Sequence, residues 1–454
     1  MTEGRKGLGD EGMKTSSLHH SITSYLLMIV ARRVEEAEVF ESETDRLEVE
    51  FRQGKLYSQE TKLSRGWGVR VINKGRLGFA SGTDPDRLSE MTKAAIDASI
   101  YGREVQFHLP KPQGPALVKT FENRVMLVPA GRMVEWGRDL IDALAARVPD
   151  LKVDVRFNRT YREIRLLSTA GIDFEFERAE LEAQITGLLV DDGLFWISDY
   201  VNLSSGQNFP LANVVERMER LARLAKQKAQ LPSGDYPVVV MPTALTELLY
   251  PLLVAANGRQ LEKKTSPLIG QDGKQVLSEK VTVIDNRVRD FGLETAPFDG
   301  EGVPARRNVL FENGVFNGFL FDTTTGAACG SDSTGSAVRS YSSLPRPGTS
   351  NIEVRTGGAE LEAVIAEMAT GLIVYDFIGG GQSNVLAGEV TLNVACGFRV
   401  EKGVVVGRVK DAGIAGNVYE MFQRVDAVGS TQRDLGSYFL PFVKFSSLKV
   451  ATKD

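Results

Sequence analysis

Four stretches carry residue types that could do chemistry, and histidine is scarce in all of them. The chain has three histidines, His19, His20 and His108. A zinc hydrolase usually takes at least two His ligands, often one helical turn apart, plus a third ligand. His19 and His20 fall in a polar, Gly-rich leader, and His108 stands alone in Phe107-His-Leu-Pro110, where it reads as a loop or packing residue. A Ser-His-Asp or Cys-His site would have to rest on His108 alone. Ser331 to Tyr341, followed by Leu344-Pro-Arg-Pro347, combines hydroxyls, a cation and an aromatic in one irregular connection. Long loops on a rigid scaffold gather binding residues, although a solvated loop reads the same way. Gly379-Gly-Gly-Gln382-Ser-Asn384 follows the apolar run Leu372-Ile-Val-Tyr. Glycine there would let a ligand backbone or an anion come close, or would simply make a tight turn. It matches neither a P-loop nor a dinucleotide fingerprint. Asp299 and Glu301 in Phe298-Asp-Gly-Glu-Gly-Val-Pro304 could hold a hard cation, but the spacing fits no EF-hand loop and suits a turn better.

Composition narrows the setting. With 454 residues the chain suggests two folding units. A formal net charge of −5 gives no global positive field for nucleic acid. The two cysteines, Cys329 and Cys396, stand far apart, which fits a reducing compartment. No apolar run approaches the roughly 18–20 residues of a membrane span. Tyr25 to Ala31 is short and runs into Arg32-Arg33, so it reads as the start of an amphipathic helix (Leu26, Leu27, Val30, Val34, Ala37). The expectation is a cytoplasmic protein without nucleic-acid or membrane partners.

The elements that must position these residues follow from periodicity. Residues 1–30 read as a poorly ordered leader and the start of that helix. From Val39 short strands alternate with glycine turns at Gln53-Gly54 and Asn73-Lys74-Gly75, an antiparallel meander. Asp84-Pro85 starts one helix, Ala130 to Arg147 forms a second, and Leu211 to Lys228 a third, strongly amphipathic one. Residues 31–230 therefore form an α+β domain with long amphipathic helices on an antiparallel sheet. The linker Leu231-Pro-Ser-Gly-Asp235 opens a strand-rich domain, 231–454, with few helices. In it a strand Tyr236 to Val240 feeds a helix from about Thr243. Asn308 to Phe311 and Phe316 to Phe321 flank Asn313-Gly314, and Val390 to Val400 and Val404 to Val409 flank Glu401-Lys402-Gly403, as two hairpins. Ala359 to Thr370 reads as a helix stopped by Gly371.

Taken in order, Ser64 to Val71 with Gly75 to Ser81, Asp299 to Pro304 with Val309 to Gly314, Ser333 to Pro347, and Gly379 to Gln382 resemble the TldD/PmbA family, once called modulators of DNA gyrase. The resemblance runs from about Glu38 to Val450. It implies a two-domain fold and a dimer enclosing a peptide-degrading chamber. In the TldD branch an HExxxH helix and a distal cysteine bind zinc; PmbA/TldE-type subunits lack those ligands and pair with a TldD-type subunit. Here Tyr250, Pro251 and Ala255 stand where His, Glu and His would align, and Asp434-Leu-Gly-Ser437 offers no cysteine. The resemblance thus implies a non-catalytic subunit with no catalytic residue and no metal of its own, zinc being expected only in a TldD-type partner. That partner, or a second copy of this chain, would complete the dimer around an unfolded or leader peptide. Peptide contacts are expected from Arg339, Ser340, Tyr341, Gly380 and Gln382. A homodimeric clamp that binds peptide without cutting it is the second reading. A carboxylate-held metal near Asp299, Glu301 or Asp322 is the third.

Overall fold

The computed structural model describes residues 22–191, 193–380 and 384–453. Its first layer is one six-stranded antiparallel sheet built from β1 (Glu36–Arg52), β2 (Lys55–Asn73), β3 (Arg76–Gly82), β4 (Lys152–Ser168), β5 (Asp173–Val190) and β6 (Leu194–Asn202), in the order β3-β2-β1-β4-β5-β6. Two-residue turns join β1 to β2 and β2 to β3, with positive φ at Gln53 (49°), Gly54 (76°), Lys74 (51°) and Gly75 (68°), the geometry that matches strand twist. The strands are not short: β1 has 17 residues and β2 has 19. Their middles are rich in charge, yet Glu36 to Arg52 pairs continuously with β2 on one side and, from Glu38 to Phe51, with β4 on the other.

Helices Ala130–Arg147 and Leu211–Ala225 cover one region of this sheet. Met133, Trp136, Leu140, Leu144, Val214, Met218 and Leu221 meet Val49, Phe51, Val155, Phe157 and Ile197 in a continuous core. Trp136, Phe157 and Phe209 form an aromatic cluster there, with centroids 5.5–6.0 Å apart. Helix Leu88–Ile100, led in by Asp84 capping Pro85–Arg87, and helix 22–31 cover the other region through Leu26, Val30, Leu88, Met91 and Ala95. The expected helical stripe from Leu26 to Ala37 is cut short. The chain leaves the helix at residue 31, and Ala37 instead pairs with Val71 on β2, because ladder hydrogen bonds claim its backbone.

The second half turns on a mixed sheet of Thr370–Ile378, Gly234–Val240, Val443–Thr452, Ala412–Asn417, Glu389–Glu401 and Val404–Arg408, with Val425–Val428 beside it. Thr370–Ile378 also pairs with Glu389–Glu401, so the sheet closes on itself. Helix Pro242–Ala255 buries Leu245, Leu248, Leu249 and Leu252 against it. A smaller sheet holds Arg307–Glu312, Val315–Phe316, Val283–Asn286, Ile352–Val354, Arg433–Asp434 and Tyr438–Leu440. Both expected hairpins form, with positive φ at Asn313 and Gly314 and at Lys402 and Gly403. Beyond Phe316 the strand expected to Phe321 is replaced by a connection into helix Thr323–Cys329. The helix expected over Ala359 to Thr370 spans only Leu361–Ala366. Thr370 and Gly371 open a strand instead, because Ile373 and Val374 pair on both sides.

With α-helices and long strands combined in several sheets, the fold class is α+β, as the residue pattern indicates.

Candidate functional site

Arg339 lies at the centre of a buried charge network. Its side chain is shut off from solvent, ion-paired to Glu38 of β1, and its guanidinium stands 4.6 Å from the Phe40 ring centroid. Glu38 Oε2 also accepts from Arg70 Nη2 at 2.9 Å, and Arg70 Nη1 donates to Glu301 Oε1 at 2.8 Å. Glu301 Oε2 then accepts the Thr323 amide at 2.7 Å. Burial works against the Glu38 carboxylate, but the Arg70 and Arg339 guanidiniums overcome it and hold its pKa below the usual range. Asp299 sits beside this chain of charges. Its Oδ1 accepts the amides of Glu301 (2.9 Å) and Val303 (3.0 Å), and its Oδ2 accepts that of Ala337 (3.0 Å). Burial, with the charge of Glu301, nevertheless pushes its pKa up to about 7.

Asp299 and Glu301 give their oxygens to backbone amides and Arg70, and Asp322 Oδ1 accepts from the amide and hydroxyl of Thr325 as the cap of Thr323–Cys329, while its Oδ2 is buried without a partner among the described residues. Among the described residues no group of three or more His, Cys, Asp or Glu is placed to hold a metal ion.

The expected peptide-contacting residues fall into two places. Ser340 is exposed, its Oγ within 3.0 Å of Ser342 Oγ. Tyr341 is half-buried against β2, where a Cβ on Gly66 would stand 2.4 Å from its ring and one on Gly68 2.3 Å from its carbonyl oxygen. Two glycines of β2 therefore create the slot for Tyr341. Gly380 faces Glu247 and Leu392 in the second half. Gln382 lies outside the described residues, as do His19 and His20. His108 is on the surface, its Nδ1 2.5 Å from Glu36 Oε1.

The resemblance would align zinc ligands on the helix Pro242–Ala255, which carries no histidine. Tyr250 faces solvent, and Pro251 and Ala255 are buried; none presents an imidazole. Asp434 accepts from Asn202 Nδ2 (3.1 Å) and the Gly436 amide (2.8 Å). Cys396 is buried, and burial, with Asp376 nearby, pushes its thiol well above the ordinary range. That is the setting of an inert core thiol.

A cavity of about 300 Å³ between helix Leu211–Ala225 and the strand Thr370–Ile378 went unnoticed in the sequence. Asp199, Arg217, Thr243, Asp376 and Arg433 are among its walls. Asp199 accepts from Arg217 Nε at 3.0 Å and also pairs with Arg433. One signal was present: along β6 the inward series Phe195, Ile197, Asp199, Val201 puts an acid where alternation calls for an apolar side chain. The bulge that sets Asp376 opposite Cys396 had no sequence signal.

A sheet-and-helix half meets a strand-rich half in an α+β fold, and the helix Pro242–Ala255 carries no histidine. Residues 233–452 match the profile of the PmbA/TldA metallopeptidase C-terminal domain, and residues 37–99 that of PmbA/TldA metallopeptidase domain 1. A metalloprotease TldD homolog of Buchnera aphidicola is 30% identical over 394 residues, 81% of this chain and 80% of that one. Metalloprotease PmbA of Escherichia coli O157:H7 is 26% identical over 449 residues, 93% of this chain and 95% of that one. The crystal structure of TldE from Thermococcus kodakarensis superposes with a TM-score of 0.89 at 24% identity, over 95% of this chain and all of that one. The chain belongs to the PmbA/TldD metallopeptidase family.

Proposed function

We propose that this chain is the non-catalytic subunit of a two-subunit TldD/TldE-type metallopeptidase that degrades or processes unfolded or leader peptides in the cytoplasm. The observation that supports the reading is the helix Pro242–Ala255, which carries no histidine, with Tyr250, Pro251 and Ala255 where the resemblance would align the ligands. Zinc, and the activated water it supplies, would belong to a TldD-type partner. This chain would complete the chamber and position the peptide through Arg339, Ser340, Tyr341, Gly380 and Gln382. Arg339 would act through its hold on Glu38 rather than from the surface. Among the described residues no helix is long and apolar enough to cross a membrane, which is compatible with the cytoplasmic setting.

An extended peptide is best held by pairing to a free strand edge. The second half offers little edge of that kind, because its larger sheet closes on itself. A longer edge runs along β2, which pairs with β3 only from Trp67 to Asn73. The proposal is tested by mixing the purified chain with a TldD-type subunit and measuring mass by light scattering. A one-to-one complex is expected. Two populations that never mix would sink the two-subunit reading and leave the homodimeric peptide clamp.

A further inference from the structure

A cavity of about 90 Å³ lies where the first sheet meets the second half. Phe40, Ile164 and Phe176 form its sheet wall, and residues 294–300 and 337–339 contribute to the opposite wall. Four guanidiniums line it, those of Arg162, Arg178, Arg287 and Arg339, against only two carboxylates, Glu294 and Asp299. Those carboxylates are already engaged. Glu294 accepts from Arg178 at 3.1 Å, and Asp299 accepts three backbone amides.

The guanidiniums are not all satisfied. Arg287 is 5% exposed, and its Nε and Nη2 are buried without a hydrogen-bond partner. Arg339 gives Nη1 to Glu38 but leaves Nε and Nη2 buried and unpartnered. Arg162 makes no hydrogen bond or ion pair with a described residue, and burial first, then the charge of Arg178, holds its pKa down against the attraction of Glu180 and Glu294. Buried donors without acceptors are costly, and clustered like charges add to the cost. The planar fork of arginine suits the paired oxygens of a carboxylate or phosphate, which would meet both needs at once.

We propose that this cavity is an oxyanion-binding site, seating one phosphate or carboxylate group among Arg162, Arg287 and Arg339. Its volume admits such a group and excludes a whole nucleotide or peptide residue chain, so a larger ligand would insert only its anionic end. The site depends on this chain alone and stands whether or not a TldD-type partner exists.

Calorimetric titration of the full chain with inorganic phosphate tests it. Saturable binding is expected, weakened roughly ten- to hundredfold by Arg287→Met, the usual effect of losing a charged hydrogen bond. Arg162→Met, at a half-buried position that spares the core, should weaken it in the same direction if Arg287→Met does not fold. A short unstructured peptide with a free C-terminus, compared with its amide, separates the sources. Competition with phosphate by the free acid alone identifies a peptide carboxylate as occupant, whereas binding of phosphate without such competition identifies a free oxyanion. No saturable binding of phosphate or free-acid peptide, or binding unchanged in both variants, would overturn the site and leave a water-filled cavity.

Discussion

Arg70 Nη1 lies 2.8 Å from Glu301 Oε1, with both side chains closed to solvent. Arg70 belongs to β2 and Glu301 to the loop 298–304, so one ion pair fastens the first sheet to the second half. Arg70 also holds Glu38, which in turn holds Arg339. Removing one member of such a set strands the others as buried charges. Arg70→Met should cost about 3–5 kcal/mol, measured as a fall in unfolding free energy in urea, with a loss that salt does not mimic.

Asp299 predicts a pH dependence with a definite sign. Its folded pKa is pushed up to about 7 by burial and by Glu301, against about 3.9 in an unfolded chain. Between those values the folded state binds the extra proton, so this group's contribution is full below about pH 4 and is lost as pH rises through 7. In Asp299→Asn the unfolding free energy should decline less steeply from pH 4 to 7 than in the wild type. Parallel slopes would show that Asp299 stays ionised throughout.

The slot for Tyr341 is testable at Gly68. A Cβ there would stand 2.3 Å from the Tyr341 carbonyl oxygen, and backbone cannot yield as a flexible side-chain tip can. Gly68→Ala should destabilise by about 1–3 kcal/mol and expose the 331–341 loop to limited proteolysis. An unaltered cleavage pattern would place Tyr341 elsewhere.

Cys396 should behave as a core residue. Its thiol is buried and pushed well above the ordinary pKa range, chiefly by burial. Maleimide labelling read by mass spectrometry should modify it only after denaturation. Rapid labelling in the native protein, or protection by added zinc, would instead mark it as an available ligand.

The residues that read correctly in the sequence are those whose signal is local. Met133, Leu140 and Leu144 announce Ala130–Arg147 by spacing alone, and Asn313-Gly314 and Lys402-Gly403 announce their hairpins because few residues accept positive φ. What could not be read is set by distant partners. Glu38 and Arg339 are 301 positions apart, so nothing near Arg339 says that it will be buried. The length of β1 is hidden in the same way, since its polar middle from Glu41 to Arg46 is held by β2 and β4 rather than by its own pattern. Thr370 and Gly371 were claimed by neighbouring strands for the same reason. The orphaned guanidinium nitrogens of Arg287 emerge only when separate loops and the sheet close one cavity.

The central claim is that this chain contributes to peptide cleavage without performing it. The direct measurement is cleavage of an unstructured peptide by this chain alone, by a TldD-type subunit with zinc alone, and by the two together. Cleavage confined to the mixture, and raised in KM by Tyr341→Ala, is the expected result. Chelator-sensitive cleavage by this chain alone, with contaminating peptidase excluded, would contradict it and mean that a metal centre exists although the helix Pro242–Ala255 carries no histidine.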